Sequence, residues 1–183
     1  MILGELVRLR PIERDDLTRF VEWFGDPDVR QYLAMVFPIG YTQEENWYER
    51  NLNLGEEQAW AIEARPPDNV GPWTHIGSCG FHRIQWRVRG GEIGIMIGDR
   101  AYWGKGYGTD AVKTLIRFGF ETLNLNRVYL RVFADNPRAI RAYEKAGFSK
   151  EGVLRQDHYH DGKYVDTLVM GILQDEWRPA QPG

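Results

Sequence analysis

Glycine occupies alternate positions 104, 106 and 108 in the run Trp103-Gly104-Lys105-Gly106-Tyr107-Gly108-Thr109. Without a Cβ, such residues let successive backbone N–H groups turn toward one point and let a ligand approach the chain closely. From Thr109 on, Val112, Leu115, Ile116, Gly119 and Leu123 recur at three- and four-residue spacing, which predicts an amphipathic helix. The start of a helix adds unpaired N–H donors and a partial positive charge. Upstream, residues 92–98 are rich in isoleucine, lack proline and read as a buried strand. Strand, glycine turn and helix start in that order suit a phosphate or pyrophosphate. The alternative is a tight turn whose glycines answer only steric needs.

Familiar phosphate motifs do not fit. A P-loop places four residues between its first Gly and a Gly-Lys-Ser/Thr, whereas Lys105 stands between two glycines and Thr109 comes too late. The dinucleotide fingerprint needs G-x-G-x-x-G and an acidic strand end about 20 residues on; this run is G-x-G-x-G and lacks that acid. The catalytic-loop and metal-binding signals of protein kinases are also missing. A different pyrophosphate carrier is left.

The elements around this turn can be read in order. Residues 6–10 alternate as a first strand that Pro11 ends, and Asp15-Asp16 open a helix carrying Leu17, Phe20, Val21 and Phe24. Gly25-Asp26-Pro27 breaks that helix. A short segment with Val29, Tyr32 and Leu33 follows, then a second helix with Thr42 as N-cap and Glu45 three residues on. Residues 59–63 and 75–84 read as strands joined by a loop over 66–73, and a turn at 89–91 leads to the central strand. After the glycine turn and its helix, residues 127–133 form another strand, which implies a right-handed parallel βαβ unit. Asn136 caps the next helix with Pro137 at its first position, and Gly147 ends it. Residues 152–160 and 163–173 pair across Asp161-Gly162, and a tail begins at Trp177.

At 183 residues with 43% hydrophobic and 27% charged content, the chain is long enough for one domain with a substantial core, spanning 1–183. A net charge of −3 argues against a general nucleic-acid binder, since there is no basic excess to displace counterions. The one cysteine, Cys79, excludes an internal disulfide and a thiol metal cluster and suits a reducing cytoplasm; it reads as core filling in a strand. No metal site is expected. There is no signal peptide and no apolar run of about 18 residues, so neither secretion nor a membrane partner is expected. Seven Trp within 13% aromatic content point to an aromatic-lined cleft or interface.

The glycine run resembles the acyl-coenzyme A loop of the GNAT N-acetyltransferase superfamily, with its Gln/Arg-x-x-Gly-x-Gly/Ala signature laid over residues 103–108 and Trp103 in place of Gln or Arg. Asp135-Asn136-Pro137-Arg138-Ala139-Ile140-Arg141-Ala142-Tyr143-Glu144-Lys145-Ala146-Gly147-Phe148 is similar to that superfamily's late Asn-x-x-Ala…Tyr-Glu-Lys-x-Gly-Phe helix. The segments 9–17 and 158–166 resemble the RimJ/RimL branch, so the likeness covers nearly the whole chain. It implies an α+β fold: a mixed, mostly antiparallel sheet of about seven strands, a parallel pair in its middle and helices on both faces. It also implies acetyl-CoA as cosubstrate. Strands 92–98 and 127–133 are expected to part toward their carboxyl ends, with the pantetheine arm on the backbone of Ile95, Met96 and Ile97. The turn, with Trp103, Gly104, Lys105, Gly106, Tyr107, Gly108 and Thr109, would hold the pyrophosphate. Arg100, Lys105, Arg138 and Arg141 are cationic candidates, and Asn136 is similar to the family's CoA-contacting Asn, although capping alone accounts for it.

Acetyl transfer to an amine needs a proton acceptor, because a lysine-like amine has a pKa of about 10.4 and an α-amine about 7.7–8.0. Glu92, at the mouth of the central strand, is the first choice, with Asp157, His158 and His160 in reserve; an edge-of-sheet carboxylate is the plain alternative. A backbone N–H near Ile95 is the oxyanion donor candidate. Tyr143 matches the family's general-acid tyrosine, although its helix face with Ala139, Ile140 and Ala146 also suits a packed core aromatic. No Cys–His or Ser–His arrangement is evident, which favours direct transfer in a ternary complex. Acceptor contacts are expected from Trp23, Phe24, Tyr32 and Trp47 and from the hairpin at Asp157, Tyr159 and Asp161. The acceptor is a primary amine, on a peptide N-terminus or a small molecule, and a homodimer is left open. The rival reading is a non-catalytic CoA-binding regulator of the same fold.

Overall fold

The computed structural model describes residues 1–35, 37–51, 57–66 and 70–177. In chain order the elements are β1 (Ile2–Leu3), β2 (Val7–Pro11), α1 (Leu17–Gly25), α2 (Pro27–Arg30), α3 (Tyr41–Asn51), β3 (Gln58–Ala64), β4 (Thr74–Gln85), β5 (Gly90–Ile97), α4 (Tyr107–Glu121), β6 (Arg127–Phe133), α5 (Pro137–Ala146), β7 (Ser149–His160) and β8 (Lys163–Leu173), with short 3-10 turns at Arg14–Asp16 and Arg100–Tyr102. The sheet runs β1-β2-β3-β4-β5-β6-β8-β7. Every neighbouring pair is antiparallel except β5 and β6. The expected architecture holds, with eight strands rather than about seven. The addition is the two-residue β1, too short to show a period of its own.

Period-two alternation assigns the two faces. In β6, Val128, Leu130 and Val132 are buried in the main core, so Arg127, Tyr129, Arg131 and Phe133 belong to the opposite face. In β5, Ile93, Ile95 and Ile97 join that same core, and Met96 joins a second cluster with Leu17, Phe20 and Val29. One face therefore carries α4 and α5, and the other carries α1, α2 and α3. α4 buries Val112, Leu115, Ile116 and Gly119 of the stripe its spacing predicts, together with Ala111, Thr114 and Phe120, while Leu123 falls just beyond the helix, half-buried against the same core. Each fully buried Leu or Ile there stabilises the packing by about 2 kcal/mol. At Gly119 a Cβ would lie 2.9 Å from the Phe81 ring, so glycine is what lets the helix seat this closely.

Several boundaries differ from the sequence reading, each for a local reason. α4 begins at Tyr107 rather than Thr109, because Gly106 takes the capping position in a left-handed conformation. Thr42 lies inside α3, and Gly40 starts that helix: its carbonyl accepts from the Gln43 and Glu44 N–H groups, while its own N–H donates to Gln43 Oε1 at 2.7 Å. Gly90 and Gly91 are the first residues of β5, so the turn falls at 86–89 and Arg89 takes the positive φ of 50°. Strand 127–133, the Asn136 cap, the Gly147 terminus and the Asp161-Gly162 hairpin turn stand as read. Of the expected 66–73 loop, residues 67–69 lie outside the described set, as does the tail beyond Trp177.

Buried charge ties α1 to the sheet. Arg10 donates to Asp16 at 2.6 and 2.7 Å and to Glu63 Oε1 at 2.8 Å, and Arg8 reaches the other Glu63 oxygen at 2.5 Å. Burial alone would raise the Asp16 carboxyl; Arg10 and His75 more than offset it and hold that carboxyl well below the usual carboxylate range.

Candidate active site

β5 and β6 pair only at Gly90–Arg127, Gly91–Val128 and Glu92–Tyr129. Beyond Glu92 the two strands continue, β5 to Ile97 and β6 to Phe133, without pairing to one another. A cleft of about 1140 Å³ opens where they part. It is lined from one face by Glu92, Arg131, Phe133 and α1–α3 residues, and from the other by Asn136, Arg138 and Tyr143 of the α5 region. The gap thus connects the two sides of the sheet.

The direction of the β5 backbone follows from two hydrogen bonds. Gly98 N–H donates to Ile76 O of β4 at 2.9 Å, whereas Ile97 O accepts from the Trp103 indole N–H at 2.7 Å. Alternation then places the polar groups of Ile95 with those of Ile97, toward the gap, and those of Met96 with Gly98, toward β4. The polar groups of Ile95 and Ile97 thus face the gap, whereas the main chain of Met96 serves the sheet and its side chain lines the cleft beside Phe20.

At one end of the gap lies the glycine turn. Gly104 and Gly106 have φ of 71° and 91°, conformations that L side chains rarely adopt. Gly106 brings no capping side chain, so the first N–H groups of α4, on Tyr107, Gly108 and Thr109, are left for another acceptor. Their dipole favours an anion. The turn is anchored from below: Asp110 accepts the Leu6 and Val7 N–H groups at 2.8 and 3.0 Å, joining the start of α4 to β2. Gly104, Gly106, Gly108, Thr109 and Trp103 line the cleft, whereas Lys105 and Tyr107 do not; Tyr107 packs edge-on against Tyr102 at 5.1 Å.

Trp103 explains its own departure from the loop signature. Its N–H closes the turn onto β5, and its ring carries the Arg138 guanidinium at 3.8 Å. Arg138 is exposed beside the cleft and, among the described residues, meets no carboxylate; partial desolvation lowers it from the ordinary guanidinium value. A cation without a carboxylate partner beside a glycine turn is arranged for an anionic ligand. Arg141 also lines the cleft; Arg100 is instead occupied by Asp28 and, at 3.5 Å, Asp26.

Tyr143 is 8% exposed, and burial pushes its phenol up to about 12, so it stands protonated at neutral pH. Glu92, also 8% exposed, comes from the opposite face at the last paired rung of β5 and β6. Arg131 Nε donates to it at 2.8 Å. Burial, and then the charge of Glu92, raises the Tyr129 phenol. Asn136 accepts from the Ala139 N–H at 3.1 Å and so is the helix cap it was read as, while also lining the cleft.

The acceptor candidates divide. Tyr32, Phe24, Trp47 and Asp157 line the cleft, and the Tyr32 hydroxyl donates to Asp135 O at 3.2 Å. Trp23 does not: it packs under Gly98 and against the His75 ring at 5.0 Å. Tyr159 is 57% exposed at the hairpin tip, where it contacts Tyr164. His158 stacks on Phe133 at 4.0 Å between centroids. The His160 side chain lies outside the described set. Cys79 is buried in the core with its thiol pushed up by burial, as core filling requires. Sequence reading passed over Glu44 and Arg131. Both had a signal: Arg131 sits on the polar parity of β6, and Glu44 shares the inner face of α3 with Trp47 and Tyr48.

Among the described residues no group of His, Cys, Asp and Glu could hold a metal, and no helix is long and apolar enough to cross a membrane. The family model described as Acetyltransferase (GNAT) domain matches residues 7–149. The chain is 31% identical over 176 residues to an uncharacterized N-acetyltransferase, p20, of Bacillus licheniformis, covering 94% of this chain and 96% of that one. It is 29% identical over 171 residues to spermidine N(1)-acetyltransferase of Escherichia coli K12, covering 93% and 88%. Among solved structures, the spermidine N-acetyltransferase of Vibrio cholerae in complex with CoA and spermine superposes with a TM-score of 0.85 at 26% identity, covering 94% and 98%. Parted central strands with a glycine anion turn at their mouth define an acyl-transferring fold, and the chain belongs to the GNAT acetyltransferase family. It is an acetyl-CoA-dependent N-acetyltransferase.

Proposed function

We propose that this enzyme acetylates a primary amine of a small aliphatic polyamine by direct transfer in a ternary complex. The observation that carries the reading is the gap through the sheet between β5 and β6, which lets a cosubstrate on the α4/α5 face meet an acceptor arriving from the α1–α3 face. The spermidine acetyltransferases at 29% and 26% identity support an amine acceptor of this kind over a peptide N-terminus.

The residues present fit coenzyme A. The positive-φ turn at Gly104 and Gly106, the uncapped start of α4 and the carboxylate-free Arg138 suit its phosphates, and the inward polar groups of Ile95 with the Ile97 N–H suit its amide-bearing arm. Acetyl-CoA supplies the activated acetyl thioester. Ile95 N–H is the donor for charge developing on the carbonyl oxygen. Tyr143, kept neutral by burial, gives a proton to the departing sulfur; its phenol is a weaker acid than a thiol, so position must compensate. Glu92, ion-paired with Arg131, accepts the amine's proton directly or through water. Its negative charge at the parting of the strands also suits it to orient the incoming ammonium.

The test is thiol release from acetyl-CoA with a panel of spermidine, spermine, monoamines and a peptide with a free N-terminus, alongside calorimetry of acetyl-CoA binding. Turnover with the polyamines above the peptide is expected. Turnover with the peptide alone would reverse the acceptor class, and binding without release on any amine would favour the regulatory reading.

A further inference from the structure

α3 turns a charged residue inward. Of its residues 41–50, Glu44 alone is buried, at 5% exposure, while Glu45, Trp47 and Tyr48 are half-buried and the remainder are exposed. Its carboxyl lines the cleft together with Phe20, Phe24 and Trp47. Among the described residues no hydrogen bond or ion pair meets that carboxyl, whereas the buried Asp16 and Glu63 are both paired with Arg10. A buried carboxyl without a partner opposes folding, and an apolar residue would pack this helix onto α1 better. Packing therefore does not account for it. An aromatic wall with one anionic group at its base has the chemistry of a cation site.

We infer that Glu44 binds a second, unreacting ammonium of the acceptor, with the alkyl spacer lying along Phe20, Phe24 and Trp47, so that the enzyme selects amines carrying at least two cationic nitrogens. This rests on the acceptor reading above and adds the residue that enforces it. Burial pushes the Glu44 carboxyl up to about 7, so an arriving ammonium draws out a carboxylate that the empty cleft holds in part as the acid. Glu92 lies where the strands part and serves the reacting amine; Glu44 reaches the cleft from a different element and is free to read the far end of the molecule.

The experiment compares wild type with Glu44→Gln and Glu44→Leu in the full-length enzyme, using 1,6-diaminohexane and spermidine against hexylamine. Both variants should raise KM for the diamine and for spermidine roughly tenfold or more, as loss of a buried charge partner does. kcat, KM for acetyl-CoA and kcat/KM for hexylamine should stay within about twofold. Since both side chains suit the site sterically, thermal unfolding should show both variants as stable as wild type or more so, which a structural role for Glu44 would not allow. An unchanged ratio of diamine to monoamine kcat/KM would overturn the assignment. Calorimetry of spermidine binding in the presence of CoA separates the two readings. Binding that depends on Glu44 without any turnover would sink the catalytic proposal and sustain this one; turnover insensitive to Glu44 would do the reverse.

Discussion

At the scale of single residues, chemistry here is set by what each polar group is denied. Tyr143 is denied water, stays neutral and remains a proton donor across the physiological range. Replacing it by Phe keeps the ring and its edge-on contact with Phe148 at 6.0 Å while removing the proton. We expect Tyr143→Phe to lower kcat by about a hundredfold with the acetyl-CoA KM unaltered, and steady-state kinetics with both substrates varied will decide it. Glu44 is denied a partner, with a consequence for stability. Its folded value near 7 exceeds the ordinary 4.5, so between those pH values the folded state holds a proton that the unfolded state has lost. This group therefore makes stability fall as pH rises from about 4.5 to about 7 and adds no slope above. In urea titrations along that range, the advantage of Glu44→Gln over wild type should grow with pH; a constant difference would contradict the raised value. Tyr143 stood out in the sequence through its motif. Glu44 did not, because a glutamate on a helix reads as solvated until the packing around that helix is known.

Among the elements, the glycine turn and α4 form the anion site as one unit. Gly106 can be the cap only because its φ of 91° has no steric cost for glycine, and that conformation leaves the first helical N–H groups open. In Gly106→Val a β-branched side chain meets a strained backbone, with Leu6 at 3.5 Å from the added Cβ. The helix start should then tilt or rewind, and calorimetry should show acetyl-CoA affinity reduced about tenfold or more while far-UV circular dichroism is retained. Equal affinity would remove the turn from the binding site. Alternate glycines before an amphipathic stretch made this element legible in advance. Trp103 was legible only as a departure from a signature: its indole bond to Ile97 O and its stack with Arg138 join residues brought together by the turn and by α5.

For the whole molecule, stability depends on tying the acceptor-side helices to the sheet. Arg10 bridges Asp16 at the head of α1 to Glu63 on β3, so one guanidinium fixes three elements. In Asp16→Asn the arginine keeps only part of its pairing in a buried setting, at a cost of about 3 kcal/mol. At about 2–4 °C per kcal/mol for a chain of this size, the melting temperature should drop by roughly 6–12 °C. A drop below about 2 °C would show the network to be dispensable. The low Asp16 value also means that its contribution is complete above the ordinary carboxylate range and is lost as pH falls toward the folded value.

By itself the sequence determined the strand parities, the α4 stripe, the caps at Asn136 and Gly147 and the hairpin at Asp161-Gly162, because each depends on neighbours within a few positions along the chain. Only the tertiary structure decided that β5 and β6 stop pairing after Glu92 and Tyr129, that Arg131 meets Glu92, and that Glu44 is buried at the cleft while Trp23 is drawn out of it to pack under Gly98. Those outcomes depend on which surfaces remain when distant segments pack, and burial of a side chain by a remote element leaves no periodic trace in the segment that carries it.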